Sequence, residues 1–268
     1  MADILLINGG PRKHGNTMQV AEWVAEGARG QGAQIEIIHL ADWRIEHCRG
    51  CNACARTGRC CVKDDHAAIC EKLDQAQGAI VCSPIFGGSY SAIMKTFFDR
   101  LTNIIGFTGR FDHLCTVGIT TAKFDDRLKV ARELAALNSS WSGSGYVTGY
   151  IHKSVLDKTR CRILALAPEN SPVLYTSARR LGEKLVRDIE HGQRSTLPWP
   201  VRLLFKYLVL PGIGQVLVNH QDEMPFLYQM MQEKSIITQP LLAKHARQMM
   251  KLKPGSVSKT TEKVVFCR

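Results

Sequence analysis

Residues 3–17 read "DILLINGGPRKHGNT". The apolar run at 3–7 predicts a buried strand. Two glycines and a proline follow. Gly15 then leads into "TMQVAEWVAEGAR" (17–29), where Val20, Trp23, Val24 and Gly27 share one helical face. This order of strand, glycine-bearing turn and helix opens a βα unit. From Gly10 the turn runs through four residues to Gly15, then Asn16 and Thr17. It is one residue away from a nucleoside-triphosphate loop, but Asn16 stands where that loop needs its lysine, so the NTPase reading is excluded. What remains is a helix whose free N–H groups face an anion, capped by Asn16 or Thr17, with Arg12 and Lys13 adding positive charge. A monophosphate fits this loop, and so does an ordinary strand–helix turn. His14 either assists the anion or is solvated.

Working outward, the same rhythm repeats. Strands are expected at 33–40, 78–84, 114–120 and 145–152, and helices at 65–76, 90–104, 125–137 and 174–192. Strands alternating with helices imply right-handed crossovers. The expected fold class is therefore α/β, a flavodoxin-like doubly wound five-stranded parallel sheet with a C-terminal helical extension. In such folds ligands sit beyond the carboxyl ends of the strands. After the third strand comes "SPIFGGSYSAIMKTFFDR" (83–100). There Pro84 fixes the chain, Gly87 and Gly88 let the backbone approach a flat ligand, and Phe86 and Tyr90 either flank an aromatic ring or are core aromatics of an ordinary βα connection, the reading the segment favours in isolation. After the fourth strand, Thr120 and Thr121 offer two hydroxyls.

The stretch "CRGCNACARTGRCC" (48–61) places five of the ten cysteines within fourteen residues. The chain opens on an acidic residue and a short apolar run without the basic start and longer apolar stretch of a signal peptide, so none is expected. A cytoplasmic, reducing setting is expected, and it favours metal or redox chemistry over disulfides. The spacing Cys48-x2-Cys51-x2-Cys54-x5-Cys60 supplies four thiolates, enough for one iron–sulfur cubane. Zinc is the runner-up and an empty site that oxidises to a disulfide the third option. Cys61 competes with Cys60 for the fourth place. Cys70, Cys82 and Cys115 read as core thiols, and His47 stands just before the motif.

Taken in order, "NGGPRKHGNT", "CRGCNACARTGRC" followed by "KDD", and "SPIFGGSYSAIMKTFFDR" resemble the iron–sulfur flavoprotein branch of the NADPH-dependent FMN reductase family, over roughly residues 1–192. The resemblance implies a flavodoxin-like fold, bound FMN, and a homodimer or homotetramer. It implies that Arg12, Asn16 and Thr17 hold the FMN phosphate. It implies too that Pro84, Ile85, Phe86, Gly87, Gly88 and Ser89 line the isoalloxazine, and that Cys48, Cys51, Cys54 and Cys60 bind a [4Fe–4S] cluster close enough to FMN for electron transfer. One departure is visible: the family often has Ser where this chain has Gly10, which removes a phosphate contact. The expected function is electron passage from NAD(P)H or ferredoxin to an acceptor, with no side chain acting as a nucleophile. The rivals are an NAD(P)H-dependent FMN, quinone or nitro-compound reductase without a cluster, and a non-enzymatic carrier or redox sensor.

The expected domains are 1–192 with the inserted motif, a helical extension over 193–252 and a flexible tail over 253–268. The net charge of +11 is uneven, because residues 193–268 hold 11 Lys or Arg against 4 Asp or Glu. No nucleic-acid motif accompanies it, so no nucleic-acid partner is expected. The apolar run in 197–234 is interrupted by Arg202, Lys206 and Pro211. It reads as a helical arm that buries its apolar face against a partner subunit or over the flavin, in preference to a membrane-surface helix, and FMN is expected in preference to FAD.

Overall fold

A computed structural model describes residues 2–108, 110–111, 113–121, 127–135, 137, 161–166, 172–191 and 221–233. Five strands run parallel: β1 (Asp3–Asn8), β2 (Gln34–His39), β3 (Gly78–Phe86), β5 (Cys115–Thr121) and β6 (Cys161–Leu166). A two-residue β4 (Ser89–Tyr90) pairs antiparallel with the end of β3. The strand order is β2-β1-β3-β5-β6. That is the doubly wound flavodoxin order, with its switch point between β1 and β3. Register pairs Ile4 with Ile35 and Gly78, Ile80 with Val117, and Ile119 with Leu164.

The helices are α1 (Asn16–Arg29), α2 (Ala53–Thr57), α3 (His66–Gln75), α4 (Ala92–Thr108), α5 (Arg127–Ala135), α6 (Pro172–Glu190) and α7 (Pro225–Glu233). Successive β1 side chains point to opposite faces. Leu5 and Ile7 join Ile69 and Leu73 of α3, Phe97 and Leu101 of α4, and Val130 and Leu134 of α5. Ile4 and Leu6 join Val20 and Val24 of α1 and Leu185 and Val186 of α6. Two covered faces explain why β1 is apolar throughout and not alternating. On the second face α1 and α6 touch through glycines. A Cβ on Gly27 would lie 2.0 Å from the Arg179 carbonyl, and one on Gly182 1.9 Å from that of Val24.

Elements expected from the sequence agree with these to within a few residues, with one correction. The fifth described strand is Cys161–Leu166; the segment 145–152, read as that strand, lies outside the described residues. So do the expected tail at 253–268 and all of the 193–252 extension except 221–233. By its contacts the chain divides into two compact units, Met1–His47 with Val62–Leu197, and Cys48–Cys61 with Pro198–Arg268. The first holds the sheet. In the second, α2 packs against α7, with Ala55 and Leu227 buried. No helix among the described residues is long and apolar enough to cross a membrane.

Candidate functional site

The first unit carries its polar side chains at the carboxyl ends of β1, β3 and β5. β1 ends in Asn8, which is fully buried. Its Oδ1 accepts from the Gly10 N–H at 2.8 Å and from the Cys82 thiol at 3.6 Å, and its amide nitrogen lies 3.1 Å from Nδ1 of His39. Burial, opposed by Asp42, lowers the His39 pKa, so the ring stays neutral and can accept that bond. Ser91 caps α4 through the Met94 N–H at 3.2 Å, and its hydroxyl donates to the Gly9 carbonyl. The turn after β1 is thus held from below by two buried side chains. A Cβ on Gly10 would lie 2.9 Å from Asn8 Oδ1 and 3.4 Å from Pro84, which gives a physical reason for glycine at this position.

Above that base the turn is open. Arg12, His14 and Asn16 are exposed, and Lys13 pairs with Asp42 at 2.7 Å on the surface. Helix α1 begins after Gly15 with no side-chain cap, contrary to the capping role expected of Asn16 or Thr17. Thr17 is instead buried, and its hydroxyl meets that of Thr121 at 2.5 Å, joining the start of α1 to the end of β5, which the sequence separates widely. An uncapped helix start of this length leaves N–H groups and a partial positive charge for an anion.

Beyond β3, Ser83 accepts from the Ser91 N–H at 2.9 Å and donates to the Pro84 carbonyl at 3.0 Å, shaping the loop 84–91. Gly87 and Gly88 take φ of 58° and 80°. Pro84 and Ile85 are half-buried, Ser89 is half-buried in β4, and Phe86 is 54% exposed. Tyr90 packs edge-on against Phe98, and burial pushes its phenol up to about 12, so it stays protonated. It is half-buried and packs against the core beneath the β3 loop. Thr120 is fully buried, beside Ser83 in register, and its hydroxyl has no hydrogen-bond partner among the described residues. The residues fit a flavin mononucleotide on two counts: an uncapped helix start with an exposed arginine, and an unsatisfied buried hydroxyl at the ligand edge.

In the second unit, α2 lies between Asn52 and Gly58, both in left-handed backbone. Cys48 and Cys61 are exposed, Cys51, Cys54 and Cys60 are half-buried, and none forms a disulfide. The sulfurs of Cys51 and Cys61 lie 3.4 Å apart. The Ala53 N–H, then Cys61, lower the Cys51 pKa, while Cys51 raises that of Cys61. Among the described residues no three Cys, His, Asp or Glu side chains converge as a metal site requires. The donors suit an iron–sulfur cluster chemically, since they are thiols in a short segment. Cys70, Cys82 and Cys115 are buried core thiols, as expected. Sequence reasoning missed Asn8, Ser83 and Ser91; the only signal was a polar residue at a strand end or helix start.

The NADPH-dependent FMN reductase family model matches residues 2–138, and the chain belongs to that family. An iron–sulfur flavoprotein of Archaeoglobus fulgidus is 39% identical over 97 residues, 36% of this chain and 47% of that protein. One of Methanocaldococcus jannaschii is 36% identical over 105 residues, 39% of this chain and 54% of that one. The chain spans about half the length of these curated relatives. The solved NAD(P)H:quinone oxidoreductase of Methanothermobacter marburgensis shares the fold with a TM-score of 0.50 at 18% identity, over 69% of this chain and 96% of its own. The resemblance read from the three motifs is borne out.

Proposed function

We propose that the protein is an FMN-dependent oxidoreductase that takes electrons from NAD(P)H or ferredoxin and passes them to an acceptor. The observation that carries this reading is the uncapped start of α1 behind a turn that Asn8 and Ser91 hold in shape. In this reading Gly10, His14, Asn16 and Thr17 supply backbone or side-chain donors to the FMN phosphate, and Arg12 supplies charge. Pro84 to Ser89 line the ring, exposed Phe86 keeps water from it, and Thr120 and Thr121 offer hydroxyls to its edge. Cys48, Cys51, Cys54 and Cys60 hold a [4Fe–4S] cluster. FMN supplies hydride acceptance and single-electron release, and a cluster supplies one-electron transfer. The protein works in the cytoplasm as a homodimer or homotetramer, which light scattering checks.

A second reading keeps the reductase and drops the cluster. The Cys51–Cys61 separation of 3.4 Å supports it, because a tetrahedral zinc ion holds its sulfurs about 3.8 Å apart. Anaerobic preparation followed by iron, sulfide, zinc and flavin analysis separates the two. Iron and sulfide with FMN support the cluster; zinc without iron supports the second reading; FAD in place of FMN overturns the phosphate site. Cys60→Ser and Cys61→Ser, compared for metal content, identify the fourth ligand. Arg12→Ala is expected to weaken FMN binding by about 1.5–3 kcal/mol, measured by flavin fluorescence titration, without a change in unfolding midpoint.

A further inference from the structure

The chain that enters the cysteine segment and the chain that leaves it are joined within the sheet-bearing unit. The Arg44 N–H donates to Asp65 Oδ2 at 2.8 Å, and the Asp65 N–H returns to the Arg44 carbonyl at 3.0 Å. The Glu46 N–H donates to Asp64 Oδ2 at 2.7 Å. Arg100 of α4 then bonds both sides, the Asp64 carboxylate and, at 3.3 Å, the Glu46 carbonyl. The Asp64 and Arg100 side chains are 0% and 1% exposed. Asp64 also accepts the His66 N–H at 3.3 Å, and His47 meets the Thr96 hydroxyl at 3.0 Å. Asp65 is the more telling residue. It stands at the N-cap position of α3, yet its side chain makes no cap bond there and reaches across to Arg44 instead. A cap is worth about 1 kcal/mol, so this carboxylate is committed to the join between the two sides.

We propose that Asp64 and Asp65 are positioning residues for the cysteine site: they close the neck of the segment so that its thiolates are gathered at lower entropic cost. The inference rests on the reading that this segment holds a metal or cluster. A segment with open ends must lose loop-closure entropy when its ligands converge. A neck closed by folding of the sheet unit has already met part of that cost, because metal affinity and local order are the same free energy. The aspartates touch no ligand in this scheme and act through the backbone of residues 44–46.

The test uses the full chain prepared anaerobically. Asp65→Ala removes the exposed half of the neck and leaves the buried Asp64–Arg100 pair intact, so the fold is retained. Iron, sulfide, zinc and FMN per chain are measured, together with the rate at which a chromophoric chelator extracts metal. Asp65→Ala is expected to release metal roughly tenfold faster, the effect of one lost charge-assisted hydrogen bond, with FMN content unchanged. Asp65→Asn, which keeps an acceptor, recovers most of the wild-type rate. Two results overturn the inference alone: wild-type extraction kinetics in Asp65→Ala, or loss of FMN in step with metal, which marks a general structural role. A wild-type protein with neither iron nor zinc overturns the metal reading and the inference with it, a result told apart by the wild-type assay itself.

Discussion

The turn after β1 and the cysteine segment are both short, glycine-containing and polar, yet they are built differently. The turn is shaped by buried side chains beneath it, Asn8 and Ser91, which bond its backbone from inside the sheet unit. The cysteine segment has a five-residue helix, three residues at positive φ (Gly50, Asn52 and Gly58) and cysteines that are exposed or half-buried. Its helix packs against α7. The difference teaches that an anion site made of backbone can be complete before its ligand arrives, whereas a thiolate site is completed by the ligand itself.

The largest expected effect breaks the neck from its buried side. Arg100→Leu leaves the Asp64 carboxylate buried without its cation, and should cost about 3–5 kcal/mol of stability by urea unfolding. If the cost is under 1 kcal/mol, the pair does not hold the sheet unit to the neck. Acid acts on the same place. Burial, then the Arg100 charge, lowers the His66 pKa from 6.5 to about 4. The folded state thus keeps a neutral ring that the unfolded chain protonates near 6.5. This contribution is intact above pH 6.5 and is lost as the pH falls from 6.5 toward 4, by at most about 3 kcal/mol. His66→Gln should flatten that part of the stability–pH curve.

Asn8→Ala tests the other region. It leaves the Gly10 N–H without its acceptor and should cost about 1–3 kcal/mol, with weaker FMN binding in the same titration. Arg12→Ala weakens binding without the stability loss, so the two variants separate shape from charge. The smallest effect concerns Gly58, at φ 73°, where a Cβ would lie 2.7 Å from the ring of Phe226. Gly58→Ala should cost about 1–2 kcal/mol, read as faster amide exchange in α2 and α7. Phe226→Ala should relieve part of that cost if the ring contact matters.

Much of this was legible beforehand. The buried β1 followed from an unbroken apolar run, and Gly27 from its place on the α1 face. The Thr17–Thr121 bond was not legible, because nothing local tells two threonines more than a hundred positions apart that their strands and helices end side by side. The edge-on contact of Tyr90 with Phe98 was not legible for a similar reason: it depends on how α4 leaves the β3 loop. The capping expected of Asn16 or Thr17 also failed, since Thr17 is drawn inward by Thr121.

The sequence by itself determined the alternation of strands and helices, the family, and the residue types at each strand end, because hydrophobic periodicity, glycine placement and cysteine spacing are local properties. Only the tertiary structure decided which distant polar groups face one another: Thr17 against Thr121, Ser91 under Gly9, Asp64 on Arg100, Asp65 across to Arg44. Those pairings depend on strand order and helix packing, which bring distant residues within hydrogen-bond reach, and no local pattern encodes a distance of that kind.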